Sequence, residues 1–364
     1  MDYTSVDKAA FLYREPVARI SQHSTDKRRA QTSRPHPRAY DDQCYGLRSV
    51  VLQNRFLRVV VLPEAGGKIW QITYKPLVAD LLWNNPKVAP ARLPSDSTYD
   101  DVWSGGWDEL FPNDEIAVIN GQTYPDHGEL WTGQWTAETL TDRDGVSVCL
   151  RYLTPLSVIA IEKTIRLQRD RAHIDFHHRF TNRARTAFPF LWKLHPAMAV
   201  SPQHRIDFPK MKIMLEPAFL GSLAEAEDAC EWPVIRAPEG DIDLRRVAPE
   251  QARKLYFFYG THMQAGWCAI TNTATNLACG WQFDSKIFPC CWLFATYGGW
   301  RNYNVAVLEP ATGYPFTFDA MKSAGRHRTL APGEVLETNV RFLVQEGLRS
   351  VGGISPSGEM VEAG

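Results

Sequence analysis

From Tyr45 onward the chain is a succession of short apolar stretches separated by turn residues. Arg48 to Leu52 and Phe56 to Leu62 flank the polar triplet Gln53-Asn54-Arg55, which suits two strands joined by a hairpin turn. Another strand is expected at Lys68 to Tyr74. Ser147 to Leu153, Ile159 to Gln168 and His173 to Thr181 read as long strands, with Arg169-Asp170-Arg171 as a turn. The same pattern returns at Leu255 to Tyr259, Gly266 to Thr271, Leu277 to Phe283, Cys291 to Thr296, Asn304 to Leu308 and Thr338 to Val344. Helical periodicity is scarce, and Leu223 to Cys230 is the best short candidate. Many strands with turns between them predict an all-β fold, a large antiparallel β-sandwich, rather than βαβ units.

A chain of 364 residues has room for two domains or one large β-domain. Neither a repeat nor a Gly/Ser-rich linker divides it, so one domain is expected over residues 45–364, preceded by an N-terminal arm over 1–44. Within the arm, Lys27-Arg28-Arg29 through Arg34-Pro35-His36-Pro37-Arg38 is basic and interrupted by proline, unsuited to a helix or a paired strand. It reads as a solvated arm lying over the domain.

Lys plus Arg number 40 against 41 Asp plus Glu, so no global field favours nucleic acid or a polyanion. The seven cysteines include no C-x-x-C pair and no zinc spacing. The acidic start Met1-Asp2-Tyr3 lacks the apolar stretch of a secretory signal, and the longest apolar run, Phe288 to Ala295, is too short to span a bilayer. A soluble, reduced, cytoplasmic protein without membrane contact is expected; these residues do not set its oligomeric state. The 12 Trp, 13 Tyr and 17 Phe fill a core first, and some could stack on a sugar.

Candidate chemistry is sparse. Glu309 closes an apolar strand ahead of Pro310, where partial desolvation would raise a carboxylate toward the range useful to a base. His195, in Leu194-His195-Pro196, ends another apolar strand, and His127-Gly128 lies in a turn-rich loop. Alone, Glu309 reads sooner as a solvated strand-end charge and His195 as a core histidine, while His127 reads equally well as an ordinary loop histidine. His173, Asp175 and His177 share one strand face and could hold a metal, although a solvated face gives the same alternation. Vicinal Cys290-Cys291 alternate faces and read as core. The common nucleophile elbow, phosphate loop and dinucleotide motif are missing.

In order along the chain, several strings resemble the aldose 1-epimerase (galactose mutarotase) superfamily. They are Leu62-Pro63-Glu64-Ala65-Gly66-Gly67-Lys68-Ile69, then Gly105-Gly106 through Phe111-Pro112, His127-Gly128, His195-Pro196 and Glu309-Pro310 with Thr312-Gly313. The resemblance implies the large sandwich of that family and acid/base opening of a sugar ring, needing no cofactor and no metal. It assigns His195 as general acid and Glu309 as general base, with His127 and Asp108 on ring hydroxyls. Trp107, Trp131 or Trp300 would form an apolar wall. Sugar-phosphate relatives commonly carry an Arg soon after the His-Gly, where this chain has Trp131. A neutral sugar is therefore expected, unless Arg301 or Lys193 supplies a cation. The arm and the stretch from Lys210 to Glu250 have no clear family counterpart. A non-catalytic sugar-binding protein, or a lyase or glycosidase pairing Glu309 with Asp108 or Glu109, remain alternatives.

Overall fold

The computed structural model describes residues 36–220, 229–237 and 240–364. Most of the basic arm and most of the helix candidate Leu223 to Cys230 lie outside these. Cys230 itself belongs to the strand Ala229–Glu231. Arg38–Cys44, read from sequence as arm, is a strand paired along its length with Leu47–Gln53.

Two antiparallel sheets carry the fold. The larger runs from Arg38–Cys44 through Leu47–Gln53, Leu57–Leu62, Lys68–Tyr74, Trp107–Leu110, Lys193–Ala199, Asn304–Ala311, Cys290–Tyr297, Lys254–Thr261 and Lys212–Leu215 to Ala229–Glu231. The smaller runs from His204–Asp207 through Trp267–Asn272, Leu277–Phe283, Val335–Glu346, His173–Asn182, Ile159–Gln168 and Gly145–Leu153 to Thr136–Thr141. Ile159–Gln168 shows why its residues make a strand: branched Ile159, Ile161 and Ile165 alternate, fully buried, with partly exposed polar positions.

The interior is aromatic. Trp107 of the larger sheet packs against Phe176 and Phe342 of the smaller, with centroids 4.8 and 5.9 Å apart. Each large apolar side chain so enclosed stabilises the fold by about 1.5–3 kcal/mol. A charged cluster crosses the same interior: Glu109 meets His178 at 2.9 Å and Lys163 at 3.1 Å.

The opposite face of the larger sheet carries the side chains of interest. Register pairs Asp108 with His195. Lys193 pairs with Ala311 and Ala197 with Val307, so His195 stands opposite Glu309. Glu309 pairs in turn with Trp292, and Trp292 with Tyr259. One row thus crosses five strands.

Glu309 does not end its strand as expected. The strand runs Asn304–Ala311, and Pro310 pairs with Cys291 on one side. On the other side, the ladder to Lys193–Ala199 holds at Lys193 and again from Ala197 to Ala199 but is interrupted between. Pro310 and Pro196 bring no N–H to that gap. Proline here loosens the ladder beside the two polar groups instead of terminating the strand.

Candidate active site

Cross-strand pairing brings His195 and Glu309 together, with Nε2 of the imidazole 3.9 Å from Oε2 of the carboxylate. Both are buried and line a cavity of about 230 Å³. Its polar lining comprises Asp100, Asp114, Glu115, Asp126, His127 and Lys193 as well. Its aromatic lining is a connected band. Phe219 packs edge-on to Phe257, Phe257 to Phe294 and Phe294 to Trp300, with Phe316 beside Phe219 and Trp103 beside Trp300.

Lys193 precedes His195 by two positions and so shares its face. Its Nζ lies 2.8 Å from Glu309 and 2.5 Å from Asp114, above the Trp292 ring. Burial alone would depress this ammonium, but Asp114 and Glu309 outweigh it and hold Lys193 above the usual lysine value. Burial pushes Glu309 up, with Lys193 pulling part of the way back. Burial, followed by the positive charge of Lys193, His127 and Lys68, pushes His195 well below the usual imidazole value. These displacements draw the two proton affinities together, which suits a pair that exchanges protons with one ligand.

His127 is held in a left-handed backbone at φ 59°, a conformation that costs a non-glycine residue on the order of 1–3 kcal/mol. Its amide donates to the Asp114 carbonyl at 2.6 Å and its Nδ1 meets Asp126 at 2.8 Å. Gly128 follows at φ 78°, where a Cβ would fall 2.0 Å from the Phe111 carbonyl oxygen; only glycine fits this approach. Burial would lower the His127 imidazole, but Asp114 and Asp126 hold it above its usual value. The strained loop thereby places His127 in the cavity lining.

Other expected site residues stand elsewhere. Trp107 faces the sandwich interior, because it neighbours Asp108 on a strand and consecutive side chains point to opposite faces. Asp108 lies behind the lining, where its Oδ2 accepts from the Tyr99 hydroxyl at 2.9 Å and pairs with Lys68 at 3.1 Å. Trp131 props the site from outside: its ring stands nearly perpendicular to Tyr99 with centroids 5.0 Å apart, and its Nε1 donates to the Asp126 carbonyl. Trp300 does line the cavity. Arg301 does not; it pairs with Asp101 at 2.7 Å and lies 5.0 Å from the Trp300 ring centroid.

Glu109, the other suggested partner carboxylate, points into the core. Asp175 accepts from Arg341 at 2.6 Å and from Gln168 at 2.8 Å, and lies 3.4 Å from His173. None of the seven cysteines forms a disulfide. Among the described residues no helix is long and apolar enough to cross a membrane.

Tyr99, Trp103, Asp114, Asp126 and the phenylalanine band escaped the sequence reading. Tyr99 begins a four-residue helix, Tyr99–Val102, anchored by its amide on Asp126 at 2.8 Å. Only the alternate spacing of Trp292 and Phe294, matched by Phe257 and Tyr259, carries a trace of that band in the sequence.

No family model matches this chain, and no curated protein matches it in sequence. Solved structures do. A candidate aldose 1-epimerase of Klebsiella pneumoniae superposes with a TM-score of 0.67 at 14% identity, over 83% of this chain and 80% of that one. A galactose mutarotase-like protein of Clostridium acetobutylicum gives 0.60 at 12% identity, over 86% and 99%. A galactose mutarotase related enzyme of Lactobacillus acidophilus gives 0.57 at 12% identity, over 82% and 97%. With its two antiparallel sheets in this arrangement, the chain has the fold of the aldose 1-epimerase and galactose mutarotase-like proteins.

Proposed function

We propose that the chain interconverts the α and β anomers of a free aldose. The observation that carries the reading is the pairing of His195 with Glu309 across adjacent strands, in an aromatic-lined cavity. Glu309 takes the proton of the anomeric hydroxyl while the His195 imidazolium gives its proton to the ring oxygen. The C1–O5 bond breaks and an aldehyde forms. Rotation about C1–C2 presents the other carbonyl face, and the reverse transfers close the opposite anomer. His127 and the carboxylates around it would hold ring hydroxyls, and Trp300 with the phenylalanine band would meet the C–H faces.

The charge of the lining supports a neutral substrate. Asp100, Asp114, Glu115, Asp126 and Glu309 face the cavity with Lys193 and His127 as counter-charges, and Lys193 is already paired twice. A phosphate placed there would lose water and meet like charge. The earlier expectation of a neutral sugar is kept on these grounds, since Trp131 does not form the wall.

Pure α-anomers of several aldoses, followed by NMR or polarimetry, test the reading. Glu309→Gln and His195→Asn are each expected to slow anomerisation about 10²–10⁴-fold in folded protein. An aldose is expected to show a higher kcat/KM than its 6-phosphate. A protein that binds sugar without accelerating its mutarotation would be a binding module, and the proposal would fall.

A further inference from the structure

Tyr99 touches both histidines of the cavity. Its ring stacks on His127 at 4.2 Å with planes 11° apart and stands edge-on to His195 at 5.5 Å. Its hydroxyl oxygen lies 3.2 Å from His195 Nδ1 and 2.9 Å from Asp108 Oδ2. Tyr99, Asp108 and His195 are all buried, and buried polar groups are paired almost without exception.

The hydroxyl has one proton to give. Asp108 is paired with Lys68, whose Nζ is itself held by Ser104 Oγ and the Gly105 carbonyl, both at 2.9 Å. A carboxylate fixed in this way accepts and cannot donate, so the Tyr99 proton goes to Asp108. The Tyr99 oxygen is then left as an acceptor toward His195, and the bond between them requires a proton on Nδ1.

We propose that Tyr99 is a positioning residue that fixes the tautomer of His195, keeping Nδ1 protonated and leaving Nε2 as the atom that exchanges protons with the ligand. Nε2 is the nitrogen that lies 3.9 Å from Glu309. The neutral ring therefore turns a lone pair toward the cavity. It becomes the acid by taking a solvent proton at Nε2, returns to the same tautomer on giving that proton to the ring oxygen, and takes it back when the ring closes. The depressed proton affinity of His195 keeps the neutral ring the resting form near neutral pH, where its tautomer can be read. The consequence for rate rests on the mutarotase reading above; the tautomer itself does not.

The full-length protein labelled with ¹⁵N-histidine tests both parts. Wild type is expected to show His195 with protonated Nδ1 and bare Nε2 near pH 7. Tyr99→Phe keeps the ring against His127 and removes only the hydroxyl. It should move His195 toward the opposite tautomer, leave the His127 signals in place and lower kcat at least roughly tenfold, part of the 10²–10⁴ that a placed acid supplies. KM should change little. A wild-type His195 already protonated at Nε2, or an unchanged tautomer in Tyr99→Phe, overturns the inference. A tautomer change in a protein without mutarotase activity would uphold the positioning role and overturn the proposed function instead.

Discussion

Lys193 lies between two carboxylates and beside an imidazole, and its charge weakens the hold of Glu309 and His195 on a proton alike. It favours ionised Glu309 and disfavours protonated His195. In the proposed reaction the pair must carry one proton at a time, so the rate should fall as pH rises through the loss of the His195 proton. That limb is expected below the usual imidazole value of about 6.5. Lys193→Met removes the positive charge. Both Glu309 and His195 should then hold protons to higher pH, moving the whole profile upward while its maximum drops. A kcat/KM profile of the variant decides this, with the two limbs read as properties of the pair. A profile that stays in place or moves down would mean that Lys193 does not act on the reacting groups.

At the scale of elements, the strand pattern was legible because half-buried strands write their alternation into the sequence. Ile159–Gln168 and Leu277–Phe283 have the bounds expected for them. The candidate site was legible only through the ordered strings of the family resemblance, since His195 and Glu309 taken alone read sooner as a core histidine and a strand-end charge. The error at Trp107 had its remedy in the same alternation, since Trp107 and Asp108 cannot both face one cavity. Tyr99 and Asp114 left no such trace, being delivered by a short helix and a loop whose positions depend on distant contacts. The two tryptophans give a test of this assignment. Trp107→Ala should destabilise the protein by about 3–5 kcal/mol through lost core packing, read as a lowered Tm. Trp300→Ala should leave Tm nearly unchanged and raise KM for sugar several-fold, from lost stacking. The reverse result would restore Trp107 to the sugar wall.

At the scale of the whole molecule, the two sheets are joined by charge as well as by apolar packing. Glu109 of the larger sheet is buried against His178 and Lys163 of the smaller. Burial would push this carboxyl up, but its two partners outweigh it and hold it down at about 2. A carboxyl lowered on folding stabilises above its unfolded value of about 4.3 and loses that contribution as pH falls toward its folded value. Acid should therefore lower Tm progressively between about pH 4.5 and 2. Glu109→Gln should flatten that dependence and cost about 3–5 kcal/mol near neutral pH, because Lys163 is left buried without its counter-ion. Thermal melts across that pH range, run on both proteins, check slope and offset together.

The row Asp108, His195, Glu309, Trp292 and Tyr259 is drawn from five neighbouring strands of the sheet, of which only Cys290–Tyr297 and Asn304–Ala311 follow each other along the chain. No short fragment holds this row, and no local turn can form it early. Loop closure over such separations is slow and must precede the contacts that reward it. The assembled cavity is thus a late product of folding, gained only when the central strands have found their register. A one-residue slip at any of those pairings would turn the affected side chain into the core and silence the site.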